Sequence, residues 1–311
     1  MAIAVEDRIE RLSTVSGNRV IEPDIAVAGT LGDGELLPRE LTTLGGLGIE
    51  LTDEQWAKLT REELASIVGN GLRFEAILIG GLGYQIANKD NLADARVVYA
   101  LHEIGEETRH SRLFARLLGQ LQPTAKDPFR RFPVSFITRF VMHQSIRYSA
   151  LFCVLILTGE EIPDLLQKLA SEHEDTDPFV RAVNRYHRAE EARHLAFGRM
   201  VLPELWSEAS AVERLLVRRV VPFLMRSMFD GIVHPGVYAS IGLPMWRTWR
   251  TVRNSPARVA LRHEALRPVC KALTESGAFG PVGPDGEKGR VRVPRGWRRL
   301  CGLDRAGAVI A

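Results

Sequence analysis

One five-residue pattern occurs twice in this chain, as Glu106-Glu107-Thr108-Arg109-His110 and again as Glu190-Glu191-Ala192-Arg193-His194. Both copies sit in long stretches whose apolar residues recur at three- and four-residue spacing, the mark of an amphipathic helix. Residues three apart on a helix lie about 60° apart on one face, so each Glu-x-x-His can bring a carboxylate and an imidazole to one point. A single such pair is usually a solvated ion pair. Two copies are a stronger constraint, because both helices then have to present that face to one shared interior.

A carboxylate and an imidazole at this spacing are what one helix gives to one iron of a di-iron site. In ferritin-like bundles two helices supply Glu-x-x-His and two others supply one Glu each. If four antiparallel helices share one site, donors on consecutive helices sit at equal heights and the turn falls halfway between them. In the stretch before the first motif, the isolated carboxylate is Glu75, within Leu72-Arg73-Phe74-Glu75-Ala76-Ile77-Leu78-Ile79. The midpoint of 75 and 107 is 91, and a break lies at Asn88-Lys89-Asp90-Asn91. Before the second motif the candidates are Glu160 and Glu161, after the apolar run Ala150 to Leu157. The midpoint of 160 and 191 is 175.5, and the break is Glu174 to Pro178. The expected fold is therefore all-α, a ferritin-like four-helix bundle core with additional flanking helices.

The expected organisation is an N-terminal arm over 1–51, a helical bundle domain with C-terminal accessory helices over 52–276, and a basic Gly/Pro-rich tail over 277–311. The arm reads as irregular, with a short amphipathic piece near Val5 to Leu12. Thr52-Asp53-Glu54-Gln55 reads as a capping box opening a helix. Helical stretches are expected at about 62–87 and 92–119, one ending near 173 and one running to about 202. Pro203 and Pro222 bracket a further piece, with later helices near 223–232 and 256–276. Residues 120–133, interrupted by Pro123, Pro128 and Pro133, form the return along the bundle between the two hairpins, and part of 134–143 belongs to it as well. The tail, with Arg290, Arg292, Arg295, Arg298 and Arg299, reads as draped over the surface rather than as an anion-binding strap.

Glu75 and Glu160 are carboxylates in apolar helical surroundings, where a buried charge needs a partner or a metal. Glu160 is preferred to Glu161. His187, Glu191 and His194 follow at i, i+4 and i+7, so His187 is either a third imidazole at the site or a half-buried histidine bonded to a carbonyl one turn away. Arg109 and Arg193 either bind carboxylates behind the ligands and orient them, or form solvated ion pairs. Cys153 and Leu157 are candidates to line a pocket. Gly80, Gly81 and Gly83 read as close helix packing or a kink in preference to room for substrate.

The chain has 311 residues, 45% hydrophobic and 25% charged, with a net charge of +3, an ordinary globular composition that can bury a sizeable core. That mild excess gives no reason to expect nucleic acid as a partner. No uninterrupted apolar run approaches the ~18–20 residues of a membrane span, and the start carries no signal-peptide pattern. Three cysteines, Cys153, Cys270 and Cys301, without Cys-x-x-Cys spacing argue against a disulfide framework or a thiolate zinc site. A cytoplasmic protein, with neither nucleic acid nor membrane as partner, is the expectation.

The set Glu75, Glu107, His110, Glu160, His187, Glu191 and His194 resembles that of the di-iron N-oxygenases of the p-aminobenzoate N-oxygenase type. The third histidine, four residues before the last glutamate, sets that family apart from other ferritin-like di-iron proteins. The resemblance covers roughly residues 60–205 and implies that all seven residues, His187 among them, are metal ligands. It implies two iron ions, O2, an external electron donor such as a reductase or ferredoxin, and a homodimer. It also implies a small-molecule amine substrate, typically an arylamine, oxidised at nitrogen in secondary metabolism. A C–H hydroxylase or desaturase on the same scaffold, or a ferritin-like iron-handling or peroxide-scavenging protein, are the competing expectations. About 60 residues before the bundle and 100 after it favour a pocketed enzyme over storage.

Overall fold

The computed structural model describes residues 5–130, 143–280, 291–304 and 306–309. Among them there are helices and no strand, only an isolated bridge between Leu303 and Val309. Four long helices make the core: α3 (Asp53–Ala87), α4 (Ala95–Leu121), α5 (Ser149–Glu172) and α6 (Pro178–Glu208). They are preceded by α1 (Val5–Asn18) and α2 (Pro23–Ala26), and followed by α7 (Ala211–Arg219), α8 (Val221–Gly231), α9 (Gly236–Ser240), α10 (Met245–Asn254), α11 (Pro256–Glu275) and α12 (Arg295–Cys301).

Local chemistry fixes where the core helices begin. Thr52 accepts from the Gln55 amide while the Gln55 side chain accepts from the Thr52 amide, so the capping box forms as its sequence predicts. Asp94 caps α4 through the Arg96 amide. Asp177 caps α6 through the amides of Phe179 and Val180, with Pro178 in the first turn where its missing N–H costs nothing. Residues 88–94 and 173–177 therefore separate the paired helices, and the midpoints 91 and 175.5 both fall inside these turns. α3 packs along α4 and α5 along α6, giving two hairpins.

The return between the hairpins starts at Gln122, whose left-handed backbone (φ 47°) ends α4. Buried Glu62 of α3 then holds the chain, accepting from the amides of Thr124 (2.8 Å) and Ala125 (3.1 Å). Apart from one 3-10 turn at Pro128–Arg130, residues 122–130 are non-helical, as the prolines predict. The expected extension of the return into 134–143 falls almost wholly outside the described residues.

Three differences from the sequence reading have physical causes. α6 runs through Pro203 to Glu208. A proline inside a helix costs about 3 kcal/mol, and burial of Leu202 and Trp206 on either side of it offsets that cost. The arm is more helical than expected, since α1 continues past Leu12 to Asn18. Its Ser16 hydroxyl accepts from Arg193 Nε at 3.1 Å, and α1 packs over α4 and α6. The tail is not merely draped over the surface: Val293, Trp297, Leu300 and Cys301 join the main core, and Trp297 Nε1 donates to the Val217 carbonyl at 2.9 Å. Arg218, Arg219, Arg292 and Arg295 line a surface cleft of about 510 Å³. All three cysteines are buried free thiols.

By length and composition alone α3 could cross a membrane. It nevertheless buries Glu62, Glu63 and Glu75 and packs against α4, which is how a core helix of a bundle behaves.

Candidate metal centre

The two Glu-x-x-His pairs meet in the middle of the bundle. His110 Nδ1 lies 2.9 Å from Glu107 Oε2 and 3.1 Å from Glu191 Oε1. His194 Nδ1 lies 2.9 Å from Glu107 Oε1 and 3.1 Å from Glu191 Oε2. Glu107 and Glu191 thus each touch both imidazoles and occupy the centre. Glu75 of α3 reaches His187 Nε2 at 3.2 Å. Donor atoms of Glu75, His110, His187 and Glu191 lie within 4.8 Å of one another, as do those of Glu75, Glu107 and Glu160. All seven residues singled out in the sequence are therefore brought together, each no more than 2% exposed.

Glu160 and Glu161 point in different directions. Glu160 points into the cluster, whereas Glu161 turns away to pair with Arg199 of α6. Gly159 lets α5 come this close to α3, because a Cβ there would sit 2.0 Å from the Phe74 ring. Gly81 plays the same part opposite Phe152, so the close-packing reading holds at this position; Gly80 and Gly83 have nothing within 4 Å. Cys153 donates to the Gly198 carbonyl at 3.5 Å and Leu157 packs on Gly198, so both face α6. The cavity between α3 and α5 is lined instead by residues that include Phe74, Leu78, Phe152, Leu155 and Ile156, from the same two helices as Glu75 and Glu160.

A second layer crosses between the helices. Glu190 of α6 lies 3.0 Å from His110 Nε2 on α4, and Glu106 of α4 lies 2.7 Å from His194 Nε2 on α6. Behind them, Arg109 donates to Glu190 at 3.3 Å and Arg193 to Glu106 at 2.7 Å. Each arginine, open to two readings in the sequence, is thus paired behind the centre with a carboxylate of the opposite motif, its side chain only 12% exposed. Tyr186 also donates to Glu190, at 3.1 Å. These contacts direct both Nδ1 atoms toward the central carboxylates, as a carboxylate–histidine–metal arrangement requires. His187 is held differently, with Nδ1 2.9 Å from Gln167 Oε1, which leaves Nε2 facing Glu75.

The electrostatics fit a site built for cations. Burial, then the charges of Glu107 and Glu191, push the Glu75 carboxyl far above its ordinary range. Burial, then Glu191, Glu75 and Glu107, do the same to Glu160. Burial and Glu191 also press on Glu107, but His194 and His110 prevail and hold it low. Glu191 is likewise held low, against burial, by His194, His110 and His187. Burial, reinforced by His110, lowers His187 to about 4, so its ring is neutral and free to offer Nε2 as a ligand. Among the described residues, Glu75 Oε2, Glu103 Oε2 and Glu160 Oε1 make no hydrogen bond although fully buried. Orphaned carboxylate oxygens in such a place cost several kcal/mol, and divalent cations would satisfy them. Four carboxylates would neutralise two such ions, and mixed carboxylate and imidazole donors suit iron.

Glu103, Glu106, Glu190, Gln167 and Tyr186 were not assigned from sequence. Glu106 and Glu190 were visible as the first residue of each repeated motif, and Glu103 stands at i−4 from Glu107, the spacing that singled out His187 before Glu191. Gln167 carried no signal. Glu103 is buried and raised to about 8, by burial first and then by Glu107 and Glu191 against the pull of His194.

Four core helices around a buried cluster of glutamates and histidines define a ferritin-like protein with a dinuclear carboxylate site. Residues 4–277 match the family described as P-aminobenzoate N-oxygenase AurF, and the chain belongs to that family. Its curated relatives include uncharacterized proteins of Mycobacterium tuberculosis and Mycobacterium bovis, 30% identical over 173 residues. That alignment covers 55% of this chain and 50% of theirs, so the chain spans about half the length of the curated relatives it matches. No solved structure matches.

Proposed function

We propose that this protein is an O2-dependent non-haem di-iron oxygenase that N-oxygenates a small amine, an arylamine by preference. The observation that carries the reading is the convergence of four carboxylates and three imidazoles from four helices on one buried site, in a chain of the N-oxygenase family. Glu75, Glu107, His110, Glu160, His187, Glu191 and His194 hold the metals. Two ferrous ions bound there supply electrons to reduce O2 and the site from which oxygen passes to substrate.

The protein's own residues prepare and protect that chemistry. Glu107 and Glu191 each touch Nδ1 of both His110 and His194 and would hold metal at the centre of the site. Glu106 with Arg193, and Glu190 with Arg109, fix the imidazoles so that the donors are set before metal arrives. His187, its ring fixed by Gln167, would add a third imidazole to the metal donors. The apolar lining between Phe74, Phe152 and Ile156 suits an aromatic ring. That cavity is about 20 Å³, room for one water, so admission of an arylamine requires its lining to open. An external reductase or ferredoxin-type protein supplies electrons, and the enzyme works as a cytoplasmic homodimer.

The test is a turnover assay. Iron-loaded, chemically reduced protein is mixed with O2 and a panel of arylamines and aliphatic amines, and products are identified by mass spectrometry. Hydroxylamine, nitroso or nitro products are expected. Products hydroxylated or desaturated at carbon would keep the di-iron reading and overturn N-oxygenation. Uptake of many irons per chain without product would favour iron handling.

A further inference from the structure

The two ligand helices carry more than a repeated Glu-x-x-His. On α6 the donors run His187, Glu191, His194; on α4 the same spacing gives Glu103, Glu107, His110. The second layer exchanges partners reciprocally between the helices: Glu190 with His110, Glu106 with His194. The two strings are thus related by an approximate two-fold exchange of α4 and α6. Under that exchange His187 and Glu103 are equivalent. His187 stands on the side of Glu75 and His110, and Glu103 on the side of Glu107 and His194.

Glu103 behaves as a donor awaiting an acceptor. It is 3% exposed. One of its oxygens lies within 4.8 Å of the donor atoms of Glu107 and His194, and its Oε2 makes no hydrogen bond among the described residues. Arg193 of the second layer is engaged by Glu106 and Ser16. A structural glutamate buried this deeply would be expected to have a hydrogen-bonding partner on both oxygens.

We propose that Glu103 is an eighth metal-binding residue, which completes the site on the His194 side as His187 completes it on the His110 side. The inference rests on the two-metal reading of the cluster and adds to it that the two ions are unlike. One is met by His110 and His187, two imidazoles. The other is met by His194 alone, with Glu103 in place of the second ring. The carboxylate-rich side holds the harder, more highly charged ion better.

Cobalt(II) reads this without turnover. The full chain, stripped by chelator, is titrated anaerobically with Co(II) while visible absorption and metal per chain are followed. Wild type is expected to take two ions. Glu103→Gln should keep one ion at wild-type affinity and weaken the other about tenfold or more, the scale on which loss of a supporting group acts. Glu103→His, which copies the α6 string onto α4, should hold two ions with an altered spectrum. If both variants bind two ions with the wild-type affinity and spectrum, Glu103 is not a ligand and the proposal falls, while the two-metal reading stands. Wild type binding fewer than two ions would overturn both.

Discussion

Glu106 on α4 lies 2.7 Å from Nε2 of His194 on α6, and the reciprocal contact joins Glu190 on α6 to His110 on α4 at 3.0 Å. Each repeated motif therefore brings a carboxylate and an imidazole to the centre and a second carboxylate to the imidazole of the other motif. Glu106→Gln or Glu190→Gln keeps the side chain's shape and removes its charge. Each is expected to lower metal affinity about 10–100-fold without unfolding the bundle, as read by metal titration alongside circular dichroism. Unchanged affinity in both variants would show that the crossed pairs do not orient the histidines.

Glu160 and Glu161 are neighbours with opposite duties. Glu160→Gln removes a donor aimed into the cluster and is expected to cost at least one bound metal. Glu161→Gln loses only the pair with Arg199, whose guanidinium is partly exposed, and should change stability by about 1 kcal/mol or less with full metal content. Iron analysis of the two purified variants checks this, and the reverse result would exchange their roles.

The glycines of α3 separate in the same way. A Cβ on Gly81 would lie 2.0 Å from the Phe152 ring, whereas a Cβ on Gly80 would meet nothing within 4 Å. Gly81→Ala is expected to destabilise by about 1–3 kcal/mol through overpacking. Gly80→Ala should stabilise by up to about 1 kcal/mol, since alanine is the better helix former. Urea denaturation of both variants measures the contrast.

Glu63 gives a pH signature away from the metal site. Burial pushes its carboxyl up to about 7, against the hydrogen bonds it accepts from Thr43. Between the ordinary value of 4.5 and 7 the native state keeps a proton that the unfolded chain has released. Its contribution to stability is therefore complete below 4.5 and is lost as pH rises through 7. Glu63→Gln, which stays neutral, should lose less stability than wild type between pH 5 and pH 8. Thermal unfolding at the two pH values reads the difference, and parallel losses in both proteins would contradict it.

The four core helices and the seven-residue cluster were legible because they leave periodic traces. The motif repeats, the donors fall at i, i+3, i+4 and i+7, and equal arm lengths put the turns at 91 and 175.5. Glu103 could have been found by the rule that found His187, but an acidic residue one turn from two others reads first as part of a solvated face. Gln167 was illegible because its contact with His187 depends on the packing of α5 against α6. The helical arm and the packed tail were missed for the same kind of reason. Ser16 and Trp297 are fixed by Arg193 and by the Val217 carbonyl, both distant in sequence.

The most direct test of the account is the iron content of the full chain. The protein is loaded anaerobically with Fe(II), freed of excess by gel filtration and assayed beside Glu107→Ala and Glu191→Ala, which remove the two central carboxylates. The account predicts two irons per wild-type chain and loss of iron in each variant, with helicity retained by circular dichroism. Wild-type protein that binds no iron, or variants that keep two irons, would contradict it.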